Sequence, residues 1–285
     1  MKRKGSKQLS TKAWIKAERQ KQSRIGLAIF LSLILLIVIP STYYSYNILS
    51  RPNSQTIAHE LKPKAAIVDQ LSLTFPNQTF IETATNILKQ AGYCVDYYPG
   101  EAVTVNFYRN LPTHGYKIII LRVHSALGWY DEPPVCLFTS EPYSQDRFIY
   151  EQLTDQLTRA YYNVSGESKY YFGILPEFVR SSMNGRFDNT IIIMMGCNGL
   201  TYTDMAKAFI GKGAKVYIGW YNSVPVSHTD AATIKILQHY LIEKLTLKQS
   251  IQETFKELGF NPTYKSLLIY YPLEAGEQTI ESIKS

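Results

Sequence analysis

The sequence lacks the residues and spacings that most metal and nucleotide sites require. Its 285 residues include only 3 cysteines and 5 histidines, and none of them has the spacing of a zinc finger or of an H-E-x-x-H metal site. Walker A and G-x-S-x-G motifs are also missing. The glycines of GKGAKVYIG lie between a helical stretch and a strand, the reverse of a dinucleotide-binding loop. We therefore expect neither a metal nor a cofactor.

Positive charge is concentrated at the start of the chain. The first 24 residues hold nine basic residues and one acidic residue, whereas the remainder holds 21 basic and 22 acidic residues. The formal net charge of +7 is therefore +8 in the tail and −1 in the body. A nearly neutral body lacks the basic surface that binds nucleic acid, so we expect no nucleic-acid partner.

A charge-free apolar run, IGLAIFLSLILLIVI, follows the basic tail at residues 25–39. With its uncharged tyrosine-containing flank it reaches 22 residues, enough for a membrane helix at about 20 residues per span. Basic residues before a span keep that end in the cytoplasm. We expect a cytoplasmic tail over 1–24, a single-pass transmembrane helix over 25–46, a polar stalk over 47–64, and an extracytoplasmic domain over 65–285 at the cell membrane. A cleaved signal peptide is the alternative for the apolar run.

Beyond the stalk, apolar runs alternate with helical patterns. Strands are predicted for AAIVDQLSL, YCVDYY, KIIILRVH, NTIIIMMG, AKVYIGWY and SLLIYYP. Helices are predicted for NQTFIETATNILKQAG, TDMAKAFIGKG, HTDAATIKILQHYLIEKL and TLKQSIQETFKELG, whereas VTVNFYRNL fits either structure. Near-continuous apolar strands separated by helices indicate an α/β fold, a three-layer sandwich with a mostly parallel sheet covered on both faces.

Two polar residues stand at the ends of apolar strands, where ligands bind in parallel sheets. His124 ends KIIILRVH, and Cys197 follows NTIIIMMG. If the two strands are neighbours, the imidazole and the thiol face one crevice, and the imidazole can take the proton of the thiol. The Asn198-Gly199 turn would direct N–H groups toward a bound carbonyl. Both residues can equally be structural, since a cysteine at the end of an apolar strand is often a small buried hydrophobe.

The three cysteines form an odd set. Outside the cytosol two of them can pair and leave one thiol over. We expect a disulfide between Cys94 and Cys136, with Cys197 free.

Three stretches, YKIIILRVHSA, IIIMMGCNGL and TDMAKAFIGKGAKVYIGWYNSV, resemble the caspase-like cysteine peptidase fold over roughly Ala65–Pro272. The run Ala206–Gly219 is similar to the gingipain and CHAT-type branch. Members place a catalytic His after one strand and a Cys after the next. The resemblance implies that His124 is the general base and Cys197 the nucleophile, with the backbone N–H groups of Ser125 and Cys197 as oxyanion donors. The family often has Gly where this chain has Ser125.

Four further residues are candidates for substrate contact. Asp131 and Glu132 follow the histidine in GWYDEPP, where they can receive a basic substrate side chain or simply form a solvated turn. The resemblance implies that Trp220 and Tyr221 line the substrate groove, although packing in the core or at its rim fits them equally.

Together these features predict a membrane-anchored, extracytoplasmic cysteine peptidase-like domain that hydrolyses peptide bonds in a peptide or protein substrate. The alternative is a catalytically inactive caspase-like module that binds a peptide or protein partner at the same strand ends. A third possibility is an unrelated α/β binding domain in which Cys197 belongs to the core.

Overall fold

The architecture is described from a computed structural model. It covers residues 62–128, 133–164, 167–261 and 263–284, together with residues 14, 16, 18–24, 36, 38 and 40. The chain divides into two compact units, Met1–Leu61 and Lys62–Ser285, and the described residues of the first are helical. Among the described residues, no helix combines the length and the apolar character needed to cross a membrane. The predicted transmembrane helix and stalk fall almost wholly outside the described residues.

The second unit contains two β-sheets. In its described part the strands are β1 (Lys64–Asp69), β2 (Cys94–Pro99), β3 (Tyr116–Arg122), β4 (Ser125–Leu127), β5 (Val135–Pro142), β6 (Leu157–Val164), β7 (Glu167–Ile174), β8 (Thr190–Met194), β9 (Ala214–Tyr221) and β10 (Leu267–Tyr271). Sheet A has the order β10-β9-β8-β3-β1-β2 and is parallel except for β10. Sheet B has the order β4-β5-β7-β6 and is antiparallel.

Most of the α-helices lie between strands. In the described part of this unit they are α1 (Gln78–Gln90), α2 (Val105–Asn110), α3 (Ile149–Leu153), α4 (Pro176–Ser181), α5 (Asp204–Gly211), α6 (Val226–Leu237), α7 (Leu247–Leu258) and α8 (Ile280–Lys284). The ends of α1 follow from local chemistry. The Asn77 side chain accepts from the Phe80 N–H at 3.1 Å, and Gly92 has a φ of 91° just beyond the helix.

Each face of sheet A is buried in its own hydrophobic cluster. Alternate strand residues point to opposite faces, so Ile118 and Ile120 pack with α1, α6 and α7, whereas Ile119 and Leu121 pack with α2, α4 and α5. The second cluster also includes the inner face of sheet B. The predicted α/β fold with a mostly parallel sheet is confirmed.

The structure settles one ambiguous prediction and adds a sheet that the sequence did not predict. VTVNFYRNL forms the helix α2, whose start is capped when the Thr104 hydroxyl accepts from the Phe107 N–H at 3.1 Å. Sheet B was not predicted at all. Many residues of its strands are exposed to solvent. The alternation of apolar and polar residues that identifies a half-buried strand is therefore weak.

The order of sheet A places two strand ends side by side. Strand β3 pairs in parallel with β8, from Ile118 opposite Ile191 to Leu121 opposite Met194. Both strands therefore end at the same edge of the sheet. The loops that follow them carry His124 and Cys197.

Candidate functional site

His124 is held on both its backbone and its ring by the turn that follows β1. The backbone N–H donates to Gln70 Oε1 at 3.0 Å, and the ring Nε2 lies 3.1 Å from Thr74 Oγ1. Thr74 Oγ1 also lies 3.5 Å from the Leu71 carbonyl. A hydroxyl that donates to this carbonyl can accept from Nε2–H, and this tautomer leaves Nδ1 as the basic nitrogen.

Aromatic side chains enclose the same imidazole. Tyr162 stacks on it with a centroid distance of 4.7 Å, and Phe138 and Phe75 lie at 5.8 and 6.0 Å. Burial, aided by the nearby positive charge of Arg122, lowers the pKa of His124 to about 4. The imidazole is therefore neutral near pH 7 and has a lone pair available to accept a proton.

Cys197 lies in the turn just beyond β8, half-buried against the core. Its Sγ lies 3.6 Å from the Val224 carbonyl oxygen, and the Val224 N–H donates to Sγ at 3.5 Å. The turn continues through Asn198, which has a φ of 57° and whose N–H donates to the Asn222 carbonyl at 2.9 Å. The main-chain N–H and carbonyl of Val224 therefore hold the sulfur in place from one side.

The two loops are in contact. The Ser125 hydroxyl donates to the Cys197 carbonyl at 2.5 Å, and a Cβ on Gly196 would lie 2.5 Å from the Val123 carbonyl oxygen. Glycine is therefore required for this close approach. His124 and Cys197 are both described, and no hydrogen bond joins the imidazole to the thiol. The structure thus brings the two loops into contact but directs the two reactive groups toward different partners.

The proposed oxyanion donor Ser125 lies at the start of β4, an edge strand of sheet B. It pairs with Leu137, and the Phe138 N–H donates to the His124 carbonyl at 2.9 Å. Hydrogen-bonded and non-hydrogen-bonded pairs alternate along an antiparallel ladder. His124 and Phe138 form a hydrogen-bonded pair, so Ser125 and Leu137 form a non-hydrogen-bonded one. The Ser125 N–H is therefore not used by β5 and points toward the open edge.

A buried ion cluster lies beneath His124, and it was not anticipated from the sequence. Arg122 is fully buried and binds Asp69 through Nη1 at 2.7 Å and Asp230 through Nε and Nη2 at 2.8 and 2.9 Å. Burial alone would lower the pKa of Arg122, but these two carboxylates outweigh it and raise the pKa. The available signal was an arginine inside an otherwise apolar strand, since a buried charge needs partners.

The candidate substrate-contact residues occupy different surroundings. Trp220 is buried in the core, and its indole N–H donates to Thr229 Oγ1 at 2.8 Å. Tyr221 is exposed at the end of β9. Asp131 and Glu132 lie outside the described residues.

All three cysteines are free thiols. Cys94 is exposed at the start of β2 in sheet A, whereas Cys136 is buried in β5 of sheet B. The predicted disulfide between them is not formed. Burial raises the pKa of the Cys136 thiol to about 12. Within the described residues, no group of three or more His, Cys, Asp or Glu side chains is arranged to hold a metal ion.

A groove of about 1160 Å³ runs over the outer face of sheet B. Part of its floor is formed by small side chains, those of Ala126, Cys136 and Ala160. Phe138 and Tyr162 also line the groove, and the same two rings contact His124. The groove therefore begins beside the imidazole, although neither His124 nor Cys197 lines it.

No protein-family model matches this chain, and no curated protein resembles it significantly in sequence.

Proposed function

We propose that residues 62–285 form a caspase-like cysteine peptidase domain that hydrolyses peptide bonds in a peptide or protein substrate. Cys197 is the nucleophile and His124 the general base. The observation that carries the proposal is the position of these residues just beyond two neighbouring parallel strands, in loops joined by the Ser125 hydroxyl. A histidine after one strand and a cysteine after its neighbour is the order that the resemblance implies.

The proposed reaction proceeds through a thioester. The Cys197 thiol gives its proton to His124 Nδ1 while the sulfur forms a bond to the substrate carbonyl carbon, whose π electrons move to oxygen. Backbone N–H groups of Ser125 and Cys197 stabilise the oxyanion. The C–N bond then breaks, and the amine leaves with the proton from the imidazolium. Water attacks the thioester and gives its proton to His124, which returns it to sulfur as the acid leaves.

His124 is neutral at physiological pH, because its pKa is about 4, and its lone pair is free to accept the thiol proton. The same low pKa makes it a weaker base than an ordinary imidazole, so the imidazolium formed in the transfer has to be stabilised in the substrate complex. In the tautomer in which Thr74 accepts from Nε2–H, the nitrogen that receives the proton is Nδ1. The thiol and Nδ1 must approach within about 3 Å for the transfer, and catalytic hydrogen bonds often tighten only when substrate is bound. Substrate binding therefore has to turn Sγ away from Val224.

A second candidate function is a catalytically inactive module that binds a peptide or protein partner at this edge. Two observations favour it: Tyr162 covers one face of the His124 ring, and the thiol hydrogen-bonds with Val224 instead of the imidazole. Such a module would keep the crevice and lose only the proton transfer.

The proposal also includes the position of the domain in the cell. The basic residues before the apolar run 25–39 support a single-pass anchor whose N-terminus is cytoplasmic. The domain would then act on substrates or partners outside the cytoplasm.

Labelling with a peptide that carries an acyloxymethyl ketone tests the peptidase directly, in a Cys94→Ser background that removes the exposed thiol. We expect Cys197 to be labelled at least tenfold faster than a free cysteine in a short peptide. His124→Ala should slow labelling at least tenfold, and Cys197→Ala should abolish it. His114→Ala is the matched control, because His114 lies in the turn before β3, at the opposite end of that strand, and should leave the rate unchanged.

The outcomes separate the two functions. Equal labelling of wild type and His124→Ala would show that the imidazole does not activate the thiol, and the peptidase would be ruled out. Reversible binding of the same peptide without covalent labelling would favour the inactive module.

A further inference from the structure

We propose that Arg122 is a positioning residue that holds the His124 loop and the Cys197 loop in one fixed relation. This inference rests on the proposed function, because it assigns the buried arginine to the support of that site. Arg122 touches neither reactive group. It acts through the segments that carry their contacts.

The burial of Arg122 is difficult to explain by stability alone. A fully buried ion pair loses several kcal/mol of solvation per ion, and apolar residues of similar volume often replace such clusters at no cost. On the face of the sheet to which Arg122 points, Ile120 is buried in the apolar cluster, and the Phe80 ring lies 5.4 Å from the guanidinium carbon, so an apolar side chain would find apolar neighbours there. The guanidinium can fix the relative positions of the segments that carry its acceptors, because its rigid fork binds several acceptors in a fixed geometry.

The first link leads to His124. Arg122 binds Asp69 through Nη1 at 2.7 Å and the Phe75 carbonyl through Nη2 at 2.9 Å. These two acceptors bracket a five-residue segment, 70–74. Gln70 and Thr74 lie at its ends, and they bind the His124 backbone N–H and the ring Nε2. One guanidinium therefore fixes both ends of the segment that orients the base.

The second link leads to Cys197. Arg122 binds both carboxylate oxygens of Asp230 in α6. The residue before it, Thr229, donates its hydroxyl to the Met195 carbonyl at 2.9 Å, two residues before the nucleophile. Helix α6 also begins two residues after Val224, which contacts Sγ through both its N–H and its carbonyl. Asp230 therefore sets the start of the helix that fixes the thiol.

A further hydrogen bond connects helix α1 to the cluster. Asn77, the residue that caps α1, donates its side-chain amide to Asp230 Oδ2 at 2.8 Å. The cluster thus connects β1, β3, α1 and α6 around a single cation. The positive charge also faces the imidazole and contributes to its lowered pKa, and Tyr162 is the titratable side chain stacked on that ring.

A charge-free version of the cluster provides the test. In the variant Arg122→Met/Asp69→Asn/Asp230→Asn no charge is left without its partner, which avoids the main reason for misfolding. Arg122→Lys is the second variant, because it keeps the charge and loses the fork. The matched control is Arg109→Met/Glu151→Gln, which removes a partly buried ion pair of 2.5 Å that does not contact the site.

Two measurements are made on each folded variant. The first is the rate of Cys197 labelling by the peptidyl acyloxymethyl ketone between pH 5 and 8. The second is the NMR signal of the ¹⁵N-labelled His124 ring, followed as a function of pH. We expect the charge-free variant and Arg122→Lys to label at least tenfold more slowly at pH 7. In the charge-free variant the pKa of His124 should rise, and the control should match wild type in both measurements.

Wild-type rates of labelling and an unchanged His124 spectrum in the folded charge-free variant would overturn the positioning role. Failure of the proposed function is a separate result, seen when wild-type labelling does not depend on His124. In that case the NMR measurement still decides whether Arg122 orients the imidazole. If neither variant folds while the control does, Arg122 serves stability and the positioning role is wrong.

Discussion

Cys136 lies within sheet B and Cys197 in the loop after a strand of sheet A, and their thiols have opposite surroundings. Cys136 is in β5, between β4 and β7 of an antiparallel sheet, where it pairs with Ala126, and burial raises its pKa to about 12. Cys197 lies beyond the end of a parallel strand, half-buried, and receives an N–H from Val224. A thiol inside a strand is a packing residue, whereas a thiol in the loop after a strand can meet backbone donors and solvent.

The two sheets also differ in where their polar groups collect. In sheet A all parallel strands end at one edge, so that Asp69, Arg122 and the two loops with His124 and Cys197 converge. In sheet B the strand direction alternates, and its outer face presents a groove lined in part by small and aromatic side chains instead. Convergence of strand ends is the reason why ligand sites form at the carboxyl edge of parallel sheets.

The largest expected difference concerns the reactivity of the two thiols. We expect iodoacetamide at pH 7 to modify Cys197 at least a hundredfold faster than Cys136 in the native protein. A pKa near 12 leaves about a thousandfold less thiolate than an ordinary cysteine has. Peptide mass spectrometry after timed quenching measures both rates. In urea the two rates should become similar, and comparable rates in the native protein would contradict this assignment.

A second expected difference concerns one glycine in each region. A Cβ at Gly196 would lie 2.5 Å from the Val123 carbonyl oxygen, which is backbone, whereas a Cβ at Gly173 would overlap the Cys136 side chain. We expect Gly196→Ala to lower the free energy of unfolding by about 3 kcal/mol and Gly173→Ala by about 1–2 kcal/mol. Urea denaturation measures both.

A compensating substitution sharpens the test. Gly173→Ala combined with Cys136→Ala should recover most of the loss, because the overlapping sulfur is removed. Gly196→Ala combined with Ser125→Ala should recover little, since the Val123 carbonyl stays in place. Full recovery in the second pair would show that the approach of the two loops is looser than described.

A third effect is a pH dependence at the boundary between the regions, where His124 contacts rings from sheet B. Its pKa is about 4 in the folded protein and about 6.5 when unfolded. Between these values the unfolded chain binds a proton that the folded chain does not, so stability falls as the pH falls. From pH 7 to pH 5 the loss should be about 2 kcal/mol.

His124→Gln removes this contribution. We expect its free energy of unfolding, measured in urea, to fall less steeply than that of wild type over the same pH range. Parallel curves for the two proteins would contradict the burial of a neutral imidazole.

Much of the fold could be predicted because its signals are local. The cap at Asn77 and the stop at Gly92 delimit α1 from single side chains. Sheet B was missed because exposed residues such as Tyr161 and Tyr170 break the apolar pattern of its strands. The antiparallel direction of β10 was not predicted either, because strand direction depends on how the chain returns to the sheet.

The sequence by itself determined which segments form the strands of sheet A and that His124 and Cys197 follow two of them. Hydrophobic runs and turn residues act over a few positions, so this information is present in the sequence. Only the tertiary structure decided that Arg122 joins Asp69 and Asp230, which lie 53 and 108 residues away. The same holds for the directions of the imidazole and the thiol, because each is set by partners that the packing of distant segments brings together.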